Sequence, residues 1–370
     1  MNHLNGSHMD DYSSTIKPIY TRVPRFEPGS IESKQYLQQY GYVVIKNVLS
    51  QQESNTAINL IWDYLENLNT GINRHNYHTW NNDKWPPVVQ GGILTSHGIG
   101  QSNVQWFIRG KKRVINSFAR IWDTNNLLTS FDGIGIFRPW KVNHQWKIPQ
   151  YDSPLYINQH PIHRPGLQCV QGLVNLLPMD ESSGGLVLIP KSHLDFPNLI
   201  TKYPNRISNI PPNTDYFKYP QNDPLLINNK NKPIMCHLEV GDMLLWDSRT
   251  IHNSSSGLVE PSPNTQLMRA ISLISMIPRH KVPIDVMELR KQSPYSLNST
   301  TNWCDRSVSF YDNPIIKIHQ DFNKYPDTNG YQFKPPKPPI LNKTQLQLIG
   351  FTEHEINTNV YPYTCFKSKL

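Results

Sequence analysis

Tyr156-Ile157-Asn158-Gln159-His160-Pro161, Arg164-Pro165-Gly166-Leu167-Gln168-Cys169-Val170-Gln171-Gly172-Leu173-Val174-Asn175-Leu176-Leu177-Pro178 and Gly184-Gly185-Leu186-Val187-Leu188-Ile189-Pro190-Lys191-Ser192-His193 follow one another closely and decide the fold. Each holds a short apolar run rich in Val, Ile and Leu, and Pro- or Gly-bearing turns separate the runs. Runs of that length between such turns read as strands. The rhythm extends on both sides, through Ile134 to Phe137, Ile234 to Leu238, Met243 to Trp246 and Ala270 to Met276. Short strands at this spacing predict a β-sandwich or barrel.

Upstream, Tyr42-Val43-Val44-Ile45 is a further β-branched run, and Ser50-Gln51-Gln52-Glu53 has the spacing of a capping box, so a helix is expected to begin there. Ala57, Ile58, Ile61, Leu65 and Leu68 recur at helical spacing and form one apolar face for a sheet. Residues 1–30 contain several prolines and no apolar period, which predicts an extended N-terminal arm; within it, Gly6-Ser7-His8-Met9 has the look of a tag-cleavage scar. The expected organisation is that arm followed by a single domain over 31–370. Residues 70–112, dense in Trp, Asn, Gly and Pro, read as a long loop before a second helix near Lys112, and 196–232 and 280–340 read as excursions from the core.

With 370 residues, 37% of them hydrophobic, the chain can bury a substantial core. Its net charge of +8 would suit a polyanionic partner, but the Lys and Arg residues are scattered among acids. The one tight basic run, Lys111-Lys112-Arg113, is flanked by apolar residues and reads as a helix edge, so no nucleic-acid partner is expected. No stretch approaches the roughly 18 apolar residues of a membrane span. The polar N-terminus lacks the blocks of a signal peptide, so no membrane association and a cytoplasmic location are expected. Cys169, Cys236, Cys304 and Cys365 lie far apart without C-x-x-C spacing, so neither a zinc knuckle nor a disulfide framework is indicated. Phosphate-binding Gly-rich loops and G-x-S-x-G elbows are absent.

The three opening segments, in their order, resemble the phytanoyl-CoA dioxygenase family, whose members carry an iron-binding His-x-Asp, a Val-Gln-Gly strand and a Gly-Gly-Leu…Gly-Ser-His hairpin. A further segment, Gly241-Asp242-Met243-Leu244-Leu245-Trp246-Asp247-Ser248-Arg249-Thr250-Ile251-His252, is similar to the one that supplies the family's distal iron-binding histidine. The likeness extends over most of residues 35–280. It implies a mainly β fold with flanking helices around a double-stranded β-helix (jelly-roll, cupin-like) core. It also implies Fe(II) and 2-oxoglutarate as cofactors, with hydroxylation of a C–H bond of a small molecule. In such a site two histidines and a carboxylate hold iron on one face and leave the other open. His-x-Asp spacing works because residues i and i+2 share one face of a strand.

Laid on the family's pattern, His252 matches the distal iron ligand. Arg269 matches the arginine that clamps the cosubstrate's carboxylate, and Ser254 the accompanying hydroxyl. Gln159 and Pro161 fall on the family's Gln and Pro, which puts Tyr156 at the first histidine and Asn158 at the carboxylate. An amide and a phenol of pKa about 10 are far weaker Fe(II) ligands than imidazole and carboxylate. One rescue is open: in an extended strand Tyr156, Asn158 and His160 share a face, so His160, Asn158 and His252 could form a shifted metal site. His163, of opposite parity, is expected to face solvent, His193 to be structural, and Asp152 to sit in a Pro-flanked loop. Two functions from different classes follow. One is an oxygenase using His252, Asn158 and Tyr156 or His160; the other is a metal-free pseudoenzyme that keeps the pocket for a ligand or partner. A metal-independent enzyme is a third class. Trp80, Trp85 and Trp106 are read either as a lid or as packing.

Overall fold

The computed structural model describes residues 18–89, 92–147, 155–227, 232–257, 259, 266–307, 310–311, 334 and 336–358. In chain order its main strands are β1 (Ile19–Thr21), β2 (Arg25–Phe26), β3 (Tyr42–Ile45), β4 (Ile93–Leu94), β5 (Leu127–Thr129), β6 (Ile134–Phe137), β7 (Tyr156–Ile157), β8 (Val170–Asn175), β9 (Gly185–Leu188), β10 (Phe217–Lys218), β11 (Ile234–Cys236), β12 (Met243–Asp247), β13 (His252–Ser255) and β14 (Arg269–Pro278). They form a six-stranded sheet ordered β1-β11-β9-β13-β7-β10 and an eight-stranded sheet ordered β2-β3-β12-β8-β14-β6-β4, with β5 on β14. The result is the expected mainly β jelly-roll core with flanking helices.

Strand alternation separates two cores. On β3, Val43 and Ile45 join Val174, Met243, Leu245 and Ile274 on the outer face of the larger sheet. Val44 joins Leu173, Leu244, Trp246 and Ile271 on its inner face, with Leu188 and Cys236 of the smaller sheet. Helix α1 (Ile31–Tyr40) precedes β3, and α2 (Gln51–Asn67) starts at Ser50 with the capping box complete. Ala57, Ile61, Leu65 and Leu68 of this segment are buried in the outer core, while Ile58 is only partly covered. Each such aliphatic side chain contributes about 1.5–3 kcal/mol by burial, and Leu65→Ala would cost roughly 2–5 kcal/mol.

The turn into β9 needs glycine. Gly184 has φ +73°, and a Cβ there would lie 2.4 Å from the Ser255 carbonyl oxygen on neighbouring β13. Gly184-Gly185 therefore lets β9 pair with β13, from Ser255 opposite Gly185 to His252 opposite Leu188.

Two differences from the sequence reading, in residues 70–112 and in the N-terminal arm, have physical causes, and the tryptophans take one of the two roles left open for them. Residues 70–112 are not one loop: they contain β4 and α3 (Asn103–Arg109), short elements whose patterns are too brief for periodicity to reveal. Helix α4 (Lys112–Trp122) follows where the second helix was expected. Trp80 and Trp85 stack with Trp62, and Trp106 packs on Phe131, so all three tryptophans in question are buried packing residues and form no lid. Part of the N-terminal arm is built into the sheets, β1 parallel to β11 and β2 parallel to β3. The Gly6-Ser7-His8-Met9 segment lies outside the described residues.

Candidate active site

Between the two sheets lies a cavity of about 130 Å³. A dry cavity of about 150 Å³ takes a molecule the size of benzene, so only a small ligand fits. Its walls are largely aliphatic, including Leu173, Leu244, Ile271 and Leu273 from the larger sheet and Leu186 from the smaller. The polar groups among them are Tyr156, Asn158, Gln171, His252, Ser254 and Arg269.

Three of these meet at one end. Tyr156 on β7 is the direct cross-strand partner of His252 on β13, and their rings stand 4.8 Å apart in an edge arrangement. The Asn158 backbone N–H donates to the Ser248 carbonyl at 2.9 Å. Gln159 braces this corner: its amide donates to the Arg164 and Gly166 carbonyls, both at 2.6 Å, and accepts from the Ser248 hydroxyl at 2.6 Å. So held, Asn158 places its amide oxygen position 2.8 Å from Nε2 of His252 and 3.4 Å from Nε2 of Gln171.

His252 is 2% exposed, and burial pulls its pKa down to about 4, so the ring is neutral near pH 7. Its Nδ1 lies 2.7 Å from the Thr250 carbonyl, an acceptor only, and must carry the proton. Nε2 is then a lone pair. The amide group, whose two ends are isosteric, satisfies that lone pair with its NH₂ end, and the Gln171 amide, turned likewise, presents its oxygen to the same NH₂. The ring thus has the tautomer of a metal ligand, but its lone pair is already engaged.

Iron does not fit this donor set. Among the described residues it offers one imidazole, one neutral amide already bound to that imidazole and one phenol, and the described lining holds no carboxylate. Among the described residues no group of three His, Cys, Asp or Glu side chains is placed to hold a metal.

A carboxylate does fit the other polar feature. Arg269, first residue of β14, is 2% exposed, with its guanidinium carbon 3.7 Å from the Phe137 ring centroid. Its Nε and Nη1 have no hydrogen-bond partner among the described residues. Burial without a counter-ion pushes its pKa down to about 9. A buried cation with vacant donors is costly unless an anion joins it, and Ser254 lines the same cavity.

The shifted metal site with His160 is corrected by the structure. Strand β7 ends at Ile157, so the shared face of Tyr156, Asn158 and His160 does not exist. His160 is fully buried away from the cavity lining. Its Nδ1 accepts from the Ile162 and His163 backbone N–H groups at 3.1 and 3.2 Å, and its Nε2 lies 3.4 Å from the Ile210 carbonyl. No lone pair remains for a metal. His163 is exposed, His193 is buried with Nε2 2.9 Å from the Gln38 carbonyl, and Asp152 lies outside the described residues.

Two lining residues had no role in the sequence reading, Gln171 and Trp246. They are direct partners across β8 and β12. Their signal was present as parity: Gln171, Leu173 and Asn175 alternate with the outer-face Val170 and Val174, and Trp246 alternates with Leu245.

The phytanoyl-CoA dioxygenase (PhyH) family model matches residues 136–257. A curated relative, Ava biosynthesis cluster protein O of Aspergillus versicolor, is 26% identical over 257 residues, covering 68% of this chain and 79% of that protein. Among solved structures, the GlcNAc-inducible protein GIG2 of Candida albicans is similar with TM-score 0.51 and 13% identity, over 91% of this chain and 85% of that one. The non-heme α-ketoglutarate-dependent carbocyclase SnoK of nogalamycin biosynthesis is similar with TM-score 0.42 and 14% identity, over 67% of this chain and 83% of that one.

Proposed function

We propose that the chain, whose residues 136–257 match the PhyH family model, is an oxygenase-type barrel that binds a small organic carboxylate on Arg269 without holding iron. The observation that carries this reading is the buried guanidinium with vacant Nε and Nη1, facing a cavity of ligand size. Ser254, which lines the same cavity, would add a hydroxyl donor, and 2-oxoglutarate is one acid of suitable size and charge. The altered donors Tyr156 and Asn158, with the His252 lone pair engaged by Asn158, support the absence of iron chemistry. The relative from a biosynthesis cluster favours a small-molecule ligand over a nucleic acid. Three buried thiols without disulfides, Cys169, Cys236 and Cys304, favour a reducing, cytoplasmic setting. No helix among the described residues is long and apolar enough to cross a membrane.

The reading is tested by calorimetric titration of EDTA-treated protein with 2-oxoglutarate. Saturable binding that Arg269→Met removes is the expected result; equal binding by the variant overturns it. A second reading, Fe(II)/2-oxoglutarate-dependent hydroxylation, is favoured by one observation: Tyr156, Asn158 and His252 do converge, with Nε2 of His252 2.8 Å from the Asn158 amide and the Tyr156 ring 4.8 Å from the imidazole. Under it, Fe(II) would tighten 2-oxoglutarate binding.

A further inference from the structure

The cavity has a second vacant donor, at the end opposite Arg269. Trp246 is 4% exposed, lines the cavity, and its indole Nε1 has no hydrogen-bond partner among the described residues. Buried indole N–H groups ordinarily find an acceptor. Among the described residues, the buried side-chain nitrogens that line this cavity without a partner are Trp246 Nε1 and Arg269 Nε and Nη1.

Strand register sets their separation. Trp246 pairs with Gln171 of β8, whereas Arg269 stands two residues before Ile271, whose partner is Asn175. Gln171 and Asn175 are about 13 Å apart along a strand rising roughly 3.3 Å per residue, and Arg269 reaches in from beyond the far one. Trp246 lies at the His252 end, with ring centroids 5.6 Å apart. The groups there are already committed: His252 to Thr250 and Asn158, and Gln171 to Asn158. The indole N–H is a buried donor at this end without a partner among the described residues.

We infer that Trp246 is a specificity-determining residue: its Nε1–H reads an oxygen acceptor at the far end of an acid whose carboxylate sits on Arg269. The ligand class is a short dicarboxylate or oxo acid, not a simple fatty acid. This rests on the carboxylate-binding reading above, and the test separates the two.

The full chain, treated with EDTA, is titrated calorimetrically with glutarate and with pentanoate, which has the same chain length and a methyl group in place of the far carboxylate. A hydrogen bond to a charged group changes affinity by roughly 10-fold or more, so glutarate is expected to bind that much more tightly. Trp246→Phe should weaken glutarate by the same factor and leave pentanoate unchanged, which also shows that the variant is folded. Trp85→Phe removes another buried indole N–H without a partner among the described residues, outside this cavity, and should change neither. If Trp246→Phe keeps the glutarate preference while Arg269→Met abolishes binding of both acids, the inference on Trp246 is overturned and the carboxylate reading stands. If the native chain binds neither acid, or Arg269→Met binds both as well as native, the carboxylate reading falls and this inference with it.

Discussion

Asn158 and His252 meet amide to imidazole, 2.8 Å apart, bridging the corner after β7 to the start of β13. The contact uses the one ring lone pair that points into the cavity. A metal at this position would have to break it, and among the described residues would find neither a carboxylate nor a second imidazole in the cavity lining.

Restoring the family's ligands should therefore change metal affinity from nothing to something. Tyr156→His with Asn158→Asp is expected to give a protein that retains Fe(II) through desalting, measured by metal analysis and by the charge-transfer band with 2-oxoglutarate. His and Asp at those positions supply the missing imidazole and carboxylate. A revertant that still binds no iron would mean that these positions do not converge as described.

Arg269→Met should remove carboxylate binding at little cost in stability. Methionine keeps the apolar contact with Phe137, and deleting a buried cation that lacks a counter-ion among the described residues removes a desolvation cost, so the change should be neutral or stabilising. Urea denaturation of the ligand-free variant checks this. A loss of several kcal/mol would show that the guanidinium has an internal partner in the native protein.

Stability should fall on acidification through a window set by His252. Its pKa in the folded chain is about 4, below the ordinary 6.5. Between those values the unfolded chain binds a proton that the folded chain refuses. The contribution is complete above about pH 6.5 and is lost as pH falls toward 4, on the order of 3 kcal/mol. His160, His193 and His237 are shifted down by burial and act in the same direction. His252→Gln should shallow, without abolishing, the pH dependence of the urea midpoint.

His160→Ala should cost about 2–3 kcal/mol, since it opens a buried space and removes the acceptor of two backbone N–H groups. Glutarate affinity should not move. A loss of binding without loss of stability would restore His160 to the site.

The fold was legible because the strands repeat a simple signal. Runs such as Val170 to Asn175 and Met243 to Asp247 are buried along their whole length and carry apolar residues on both faces, and turn residues bound them. The site was legible only where a residue matched a motif: Tyr156, Asn158, His252, Ser254 and Arg269 all line the cavity. What failed was extrapolation of strand geometry. His160 was placed by two-residue parity past the end of a strand only two residues long, and the Pro161 corner turns it away. Gln171 and Trp246 were missed for the opposite reason. They sit in well-formed strands, where only the pairing of one strand with another shows which parity faces the cavity and which donors remain unpaired.

The most direct test of iron-free carboxylate binding is an anaerobic titration of metal-free protein with 2-oxoglutarate, with and without Fe(II), followed by calorimetry and visible absorption together. The account predicts one saturable binding event of equal affinity in both conditions and no charge-transfer band. A saturable band, with 2-oxoglutarate binding tightened by Fe(II), would contradict it and show that Tyr156, Asn158 and His252 assemble an oxygenase centre after all.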